Sequence, residues 1–325
     1  MPGVVRNLQA GCWGDEKTML GRATGLLALV LGPAAALYLL GYTAAAHYVA
    51  LGTVLAAQMS LLARPVAGFS ILLPLAYAAA AITAQSTGGV IALVVAVAVI
   101  VGAASSQGLQ RGLLAMLAAT LIGSSEPAAP SAAVTPTLAL FAGSCFGYAL
   151  AKTLLRDIIV DARAVSPRTA LSFAMLLAIL VLVAWLASRA ADLSRGWWIP
   201  FAVAAAGHPA ISGSALRSLA LLATTLLGTL VLVSIIELSD AVSLRVAYLV
   251  VLTLLILTAG RTRRWLRALL YTPVLVLLVA HQGGRPQTLE YLQSALLACA
   301  VVFGVALLGQ WLLWTIRPDS GHAAA

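Results

Sequence analysis

Apolar residues run through this chain in long segments that are separated by short polar connections. In the first half these segments cover residues 23–40, 43–60, 66–84, 88–104, 110–123 and 133–152. In the second half they cover residues 169–188, 196–209, 214–237, 242–259, 264–281 and 291–314. The strict alternation of apolar and polar residues that β-barrel strands need does not occur, so the pattern predicts helices. We predict an all-α polytopic membrane protein with about 12 transmembrane helices.

Composition supports the membrane assignment and excludes other classes. Of the 325 residues, 62% are hydrophobic and only 9% are charged, and the mean hydropathy is +1.02. Soluble globular domains of this length do not have such a composition. The net charge of +9 is explained by basic loops that face the cytoplasm, so we predict no nucleic-acid partner. Because the three cysteines share no paired spacing, we expect neither a disulfide nor a metal site, and we predict no cofactor.

Basic residues predict the orientation of the chain. With the N-terminus inside, the tails and cytoplasmic connections hold all but four of the 19 Lys and Arg residues, the exceptions being Arg189, Arg195, Arg245 and Arg285. The C-terminus is then also inside. We divide the chain into a cytoplasmic tail (1–22), a first six-helix membrane repeat (23–152), a charged cytoplasmic linker (153–168), a second six-helix repeat (169–316) and a cytoplasmic tail (317–325). Ser166-Pro167, which closes the linker, predicts a helix start.

A short apolar helix in the second repeat predicts a break within the membrane. From Trp197 it runs about 12 residues to Gly207-His208-Pro209, which is too short to cross a bilayer. The two halves of the chain can be aligned with an offset of 150 residues. His47–Leu51 then aligns with Trp197–Phe201, and Gln58-Met59 aligns with His208-Pro209, which predicts a second broken helix. Repeats with an even number of crossings are parallel, so the two broken helices would face each other across an axis along the membrane normal. Irregular backbone at membrane depth lines wet cavities, so this is where we expect a substrate path.

The same region carries a motif of a known family. Trp197-Trp198, Pro209 and the pattern Leu221-x-x-Thr224-Thr225-x-x-Gly228 stand where that family has an aromatic helix start, a proline and Arg-x-x-Gly-Thr-x-x-Gly. On these residues the chain resembles the fusaric acid resistance and aromatic acid exporter group of bacterial inner-membrane proteins. It departs from the pattern at Leu221 and Thr224, and Arg217 lies one turn before the expected arginine. The resemblance implies a minimal, membrane-only exporter of aromatic or other organic acids, and the related plant malate channels imply anion conduction as a second activity.

Ten residues are candidates for a substrate and proton pathway. They are His208, Gln58, Arg217, Arg64, Thr224, Thr225, Trp197, Trp198, His47 and Glu237. A histidine at a proline break can couple protons or bind an anion, or it can cap freed backbone carbonyls. The two arginines can form a basic vestibule for carboxylates, or they can set the topology by reaching lipid phosphate.

The remaining candidates have structural alternatives too. His47 can be an interface side chain, and Glu237 can be a solvated helix end instead of a site of proton release. The two threonines can bond substrate or their own backbone carbonyls. No Walker, HExxH or GxSxG motif occurs, and the acids form no cluster at a membrane face, so we predict no enzyme activity and no catalytic residue.

The leading hypothesis is a multi-pass inner-membrane secondary transporter that exports aromatic or amphipathic organic anions, with or without proton coupling. The alternatives are a passive anion channel and a membrane scaffold or subunit for envelope assembly. A basic juxtamembrane face predicts binding of anionic lipids by Arg261, Arg263, Arg264 and Arg267. As further partners the sequence leaves open an accessory efflux subunit or a second copy of the chain.

Overall fold

The computed structural model describes residues 31–62, 68–154, 164–191 and 197–206, together with single positions between 227 and 304. All regular elements of this part are helical. We number them α1 (Thr43–Leu62), α2 (Gly68–Thr83), α3 (Thr87–Ala103), α4 (Gln110–Ser125), α5 (Pro130–Leu154), α6 (Pro167–Ala190) and α7 (Trp198–Ala206). Residues 31–39 are also helical. The all-α prediction is thus confirmed for the described ranges, whereas the 12-helix repeat and the orientation of the termini remain predictions.

Short polar signals set the starts and ends of the helices. Ser166 accepts a hydrogen bond from the backbone N–H of Thr169, and Pro167 is the first residue of α6, as the sequence predicted. Ser86 accepts in the same way from the N–H of Gly89 at the start of α3. At its other end α3 continues into a 3-10 turn, and this turn ends at Gly108, whose φ of 72° is the left-handed conformation that glycine adopts readily.

Helix α4 is the centre of the described bundle. Residues 112–124 are all buried, which an amphipathic surface helix would not show. Helices α1, α2, α3 and α7 all contact it. The sequence pattern alone did not separate this helix from its neighbours, because all of them are apolar.

The helices form three close pairs, one of which includes α4, and each pair has a glycine at the contact. In the pair α1–α5, a Cβ atom at Gly143 would collide with the backbone of Val49, and one at Gly147 with the backbone of Thr53. In the pair α2–α4, a Cβ atom at Gly123 would collide with the backbone carbonyl of Tyr77. In the pair α3–α6, Gly102 meets the backbone of Ala174. Helices approach this closely where small residues remove the side chains between their backbones.

The outer surface of the bundle is apolar. Along α6 the exposed side chains include Leu171, Met175, Ile179, Val183 and Leu186. Three helical stretches in the described ranges, Thr87–Gln107, Pro130–Thr153 and Pro167–Ala190, are long and apolar enough to cross a membrane. Shorter apolar helices cover Thr43–Ala57, Ser70–Thr83 and Gly112–Ser125. An apolar surface of this extent is suited to lipid and not to water.

Contacts between connections define two ends of the bundle. At the first end, Gln85 donates a hydrogen bond to the carbonyl of Ala128 at 3.1 Å, and the Ala128 N–H donates to Ala81. At the second end, the N–H of Val165 donates to the carbonyl of Ser105 at 3.2 Å. The distribution of basic residues predicts that the two connections at the first end lie on one side of the membrane and that the two at the second end lie on the other side.

Candidate functional site

A cluster of three polar side chains lies at the first end of the bundle. It consists of Tyr48 on α1, Tyr77 on α2 and Glu126, and we call it the tyrosine–glutamate cluster. The hydroxyl of Tyr48 donates to Oε2 of Glu126 at 2.7 Å, and the hydroxyl of Tyr77 donates to the same oxygen at 2.8 Å. The two phenol oxygens are 3.2 Å apart. One carboxylate oxygen is therefore held by two helices at once.

The two tyrosine rings also pack against each other. Their centroids are 5.5 Å apart, and the ring planes meet at 63° in an edge-to-face arrangement. Tyr77 is almost fully buried, whereas Tyr48 is only partly buried. Buried phenols need partners for their hydroxyls, and Glu126 supplies an acceptor to both of them.

Close packing beneath the cluster fixes the position of Glu126. Glu126 is the C-cap residue that directly follows α4, and its N–H donates to the carbonyl of Gly123. Gly123 allows the backbone of α4 to approach the carbonyl of Tyr77 on α2. Beyond Glu126, Ala128 accepts a hydrogen bond from Gln85 and donates one to the carbonyl of Ala81, and these two bonds attach it to the end of α2. The carboxylate thus lies on a rigid junction and not on a long free loop.

Four of the predicted site residues lie in the described ranges. His47 directly precedes Tyr48 on α1 and is partly buried, so it is at the same end of the bundle. Trp197 is buried just before α7, and Trp198 is the first residue of that helix. Gln58 lies within α1. Both α1 and α7, the two helices that the repeat aligned, contact α4.

The structure corrects one expectation about α1. The alignment of Gln58-Met59 with His208-Pro209 predicted a break at Gln58, yet α1 continues through this position to Leu62. The physical reason is the absence of a proline, because Met59 keeps the N–H that Pro209 lacks and does not force the helix to end. Helix α7 is described over Trp198–Ala206, and the predicted break at Gly207-His208-Pro209 lies outside the described ranges.

The other predicted residues lie outside the described ranges. They are His208, Arg217, Arg64, Thr224, Thr225 and Glu237, together with the lipid-binding candidates Arg261, Arg263, Arg264 and Arg267. Their roles remain predictions.

No role was predicted for Tyr48, Tyr77 or Glu126 from the sequence. Their positions are 29, 49 and 78 residues apart in the chain, so no local spacing connects them. The one signal in the sequence was a single acid between two apolar segments, which also describes an ordinary polar connection.

Part of the chain is similar to a known protein family. Residues 179–305 match the fusaric acid resistance protein-like family. No curated protein and no solved structure matches the chain. The matched range begins in α6 and includes α7, so it contains the aromatic start and the Thr224-Thr225 pattern on which the resemblance was based. Residues 179–305 are therefore similar to the fusaric acid resistance protein-like family, in agreement with the resemblance that the sequence motif indicated, and the apolar helices indicate a membrane protein.

Proposed function

We propose that this protein is an inner-membrane secondary transporter that exports aromatic or amphipathic organic anions. The observation that carries the proposal is the family match over residues 179–305, because this family is associated with membrane transport. The apolar surface of α6 and the three helical stretches long enough to span a bilayer fit a transport protein within the membrane.

The path of the substrate is part of this proposal. An organic anion enters from the cytoplasm near Arg64 and Arg217, whose charges attract carboxylates. It passes Gln58, His208 and the two threonines Thr224 and Thr225. It leaves between His47 and the pair Trp197-Trp198, where the aromatic rings offer an amphipathic surface at the membrane interface.

Accumulation in cells tests the export function. Cells that lack the protein are loaded with a panel of radiolabelled aromatic and aliphatic weak acids, and the retained label is compared with that in complemented cells. We expect deletion cells to retain at least one aromatic acid and complementation to restore its efflux. Complementation with Arg217→Gln should restore less efflux than complementation with Arg285→Gln, a charge-matched control outside the proposed path. Unchanged efflux across the whole panel would refute the export function.

Reconstituted vesicles separate an exporter from a passive channel. A proton-coupled exporter moves the acid when a pH gradient is imposed at zero membrane potential, whereas a channel follows the voltage and needs no pH gradient. If substrate follows voltage alone, the protein is a channel. If no substrate moves and a stoichiometric partner copurifies, the protein is a scaffold or subunit.

A further inference from the structure

The charge of Glu126 is not neutralised by any of the Lys and Arg side chains that the structure describes. Glu126 is the one acid in the described ranges, and its hydrogen bonds come from Tyr48 and Tyr77. The described Lys and Arg side chains, Lys152, Arg168 and Arg189, are all exposed, and the guanidinium of Arg189 stacks on Trp185. Two neutral phenols therefore provide the stabilisation that an ion pair would otherwise give.

Helix capping does not explain a carboxylate at this place. Glu126 follows the last residue of α4, where the backbone carbonyls make the negative end of the helix dipole. A cation would be favoured there and an anion is disfavoured. The carboxylate also bonds phenols of α1 and α2 instead of the backbone N–H groups of its own helix. Its described hydrogen bonds as an acceptor thus connect α4 with these two helices.

Addition of a proton would change the hydrogen bonds of the cluster. As long as Glu126 is ionised, Oε2 accepts from both hydroxyls, at 2.7 and 2.8 Å. A proton on this oxygen makes it a donor and takes up acceptor capacity, and a proton on Oε1 leaves Oε2 a neutral carbonyl oxygen that binds both hydroxyls more weakly than a carboxylate does. In both cases the two bonds to Oε2 weaken, and in the first case at least one phenol turns its hydrogen away or accepts the new one. Tyr48 and Tyr77 can adjust in this way, because their oxygens are already within 3.2 Å of each other.

This change would act on the contact between two close helix pairs. Tyr48 belongs to the pair α1–α5, which is packed through Gly143 and Gly147. Tyr77 and Glu126 belong to the pair α2–α4, which is packed through Gly123. Each pair is closely packed within itself, and the bond from Tyr48 to Glu126 is one of the contacts between the two pairs. The protonation state of Glu126 thus biases how one pair packs against the other.

Few other titratable groups face this carboxylate. On α1 they are His47 and Tyr48, and on α2 the group is Tyr77. Helices α3 and α7, which also contact α4, carry no titratable side chain. Those of α5 are Cys145, Tyr148 and Lys152, and all lie in the half of the helix away from its start near Glu126.

We propose that Glu126 is the proton-binding group that couples organic-anion export to the proton gradient. This inference rests on the proposed export function and names its coupling ion and its proton site. A proton from water at the first end of the bundle forms an O–H bond with the carboxylate and makes it neutral. The phenols rearrange, and the pair α1–α5 shifts against the pair α2–α4. Release of the proton to water restores the carboxylate and its two bonds.

Two modes of transport in reconstituted vesicles test the coupling. One mode is uptake of a labelled aromatic acid driven by a pH gradient, and the other is exchange of labelled for unlabelled acid without a gradient. We expect Glu126→Gln to reduce gradient-driven uptake at least about tenfold, within the usual range of coupling between sites, and to retain exchange. Retained exchange also shows that the variant is folded. Glu126→Asp keeps the acid and should retain part of the gradient-driven uptake.

The proton role would be overturned if Glu126→Gln had the same rates as wild type in gradient-driven uptake and in exchange. It would also be overturned if a normally folded variant lost both activities to the same extent. A wild-type protein that moves no acid in either mode would instead refute the export function. In that case infrared difference spectra between acid and neutral pH still test the proton site. We expect a protonated-carboxyl band in wild type that is absent in Glu126→Gln and shifted in Tyr77→Phe. A band that is unchanged in both variants would overturn the inference.

Discussion

At the scale of single residues, the polar chemistry of the described bundle is concentrated in a few side chains. Most buried hydroxyls, such as those of Thr53 and Thr120, donate their one hydrogen to a carbonyl of their own helix and cannot donate it to another helix. Tyr48 and Tyr77 are different, because their hydroxyls reach Glu126 beyond their own helices. Loss of these bonds should therefore affect the packing of helices and not only the local backbone.

The Tyr77 hydroxyl should contribute measurably to stability. We expect Tyr77→Phe to lower the free energy of unfolding in mixed micelles by about 1.5–3 kcal/mol, because it removes a hydrogen bond to a charged group. Tyr48→Phe should cost no more, since Tyr48 is less buried. Denaturant titration followed by tryptophan fluorescence measures both variants.

The matched control for these variants is Tyr42→Phe. The side chain of Tyr42 is 64% exposed, so loss of its hydroxyl should change the free energy of unfolding by less than about 0.5 kcal/mol. Equal stability of Tyr77→Phe and Tyr42→Phe would show that the bonds of the cluster contribute nothing to folding.

At the scale of helices, contacts through glycine decide which elements pair. Gly143 and Gly147 are one helical turn apart on α5, and both face the backbone of α1. This spacing is the small-residue pattern by which membrane helices approach each other. Val49 and Thr53 of α1 have the same spacing and fill the positions opposite.

A methyl group at Gly147 should force α1 and α5 apart. The added Cβ atom would collide with the backbone carbonyl of Thr53, which cannot move without its helix. We expect Gly147→Ala to lower the free energy of unfolding by about 1–3 kcal/mol, the usual cost of overpacking. The same denaturant titration measures this variant.

Gly88→Ala is the control that separates packing from helix propensity. Gly88 lies in the first turn of α3, and no atom lies within 4 Å of a Cβ built there. Alanine favours a helix, so this variant should be neutral or more stable by up to about 1 kcal/mol. If both alanine variants were equally stable, the close approach of α1 and α5 would not limit packing.

At the scale of the whole molecule, apolar helices surround a fully buried one and polar connections gather at two ends. The first end carries the tyrosine–glutamate cluster and the contact between Gln85 and Ala128. At the second end Val165 contacts Ser105. If the N-terminus is inside, as the basic residues predict, the first end faces outward.

Cysteine labelling in intact cells tests this orientation. In a background without the three native cysteines, Thr87→Cys places an exposed thiol at the first end and Ala164→Cys places one at the second end. We expect a membrane-impermeant maleimide to label Thr87→Cys in intact cells and Ala164→Cys only after the membrane is opened. The reverse result would place the N-terminus outside.

Helix positions could largely be predicted from the sequence, because each depends on a local run of apolar residues and its polar ends. The segment predicted at 169–188 is α6, Pro167–Ala190, and its start at Ser166-Pro167 is a local capping signal. The segment predicted at 110–123 is α4, Gln110–Ser125. The family domain was also recognisable from residues close together in the chain, from Trp197 to Gly228.

The tyrosine–glutamate cluster and the burial of α4 were decided only by the tertiary structure. The three residues of the cluster come from distant segments, so folding alone brings their oxygens within hydrogen-bond distance. In a membrane, lipid and protein interior are equally apolar, so a helix that faces lipid and one that is enclosed by protein have similar sequences. The sequence by itself therefore determined which residues form helices in the membrane, and the packing of those helices determined which one lies at the centre and where Glu126 meets Tyr48 and Tyr77.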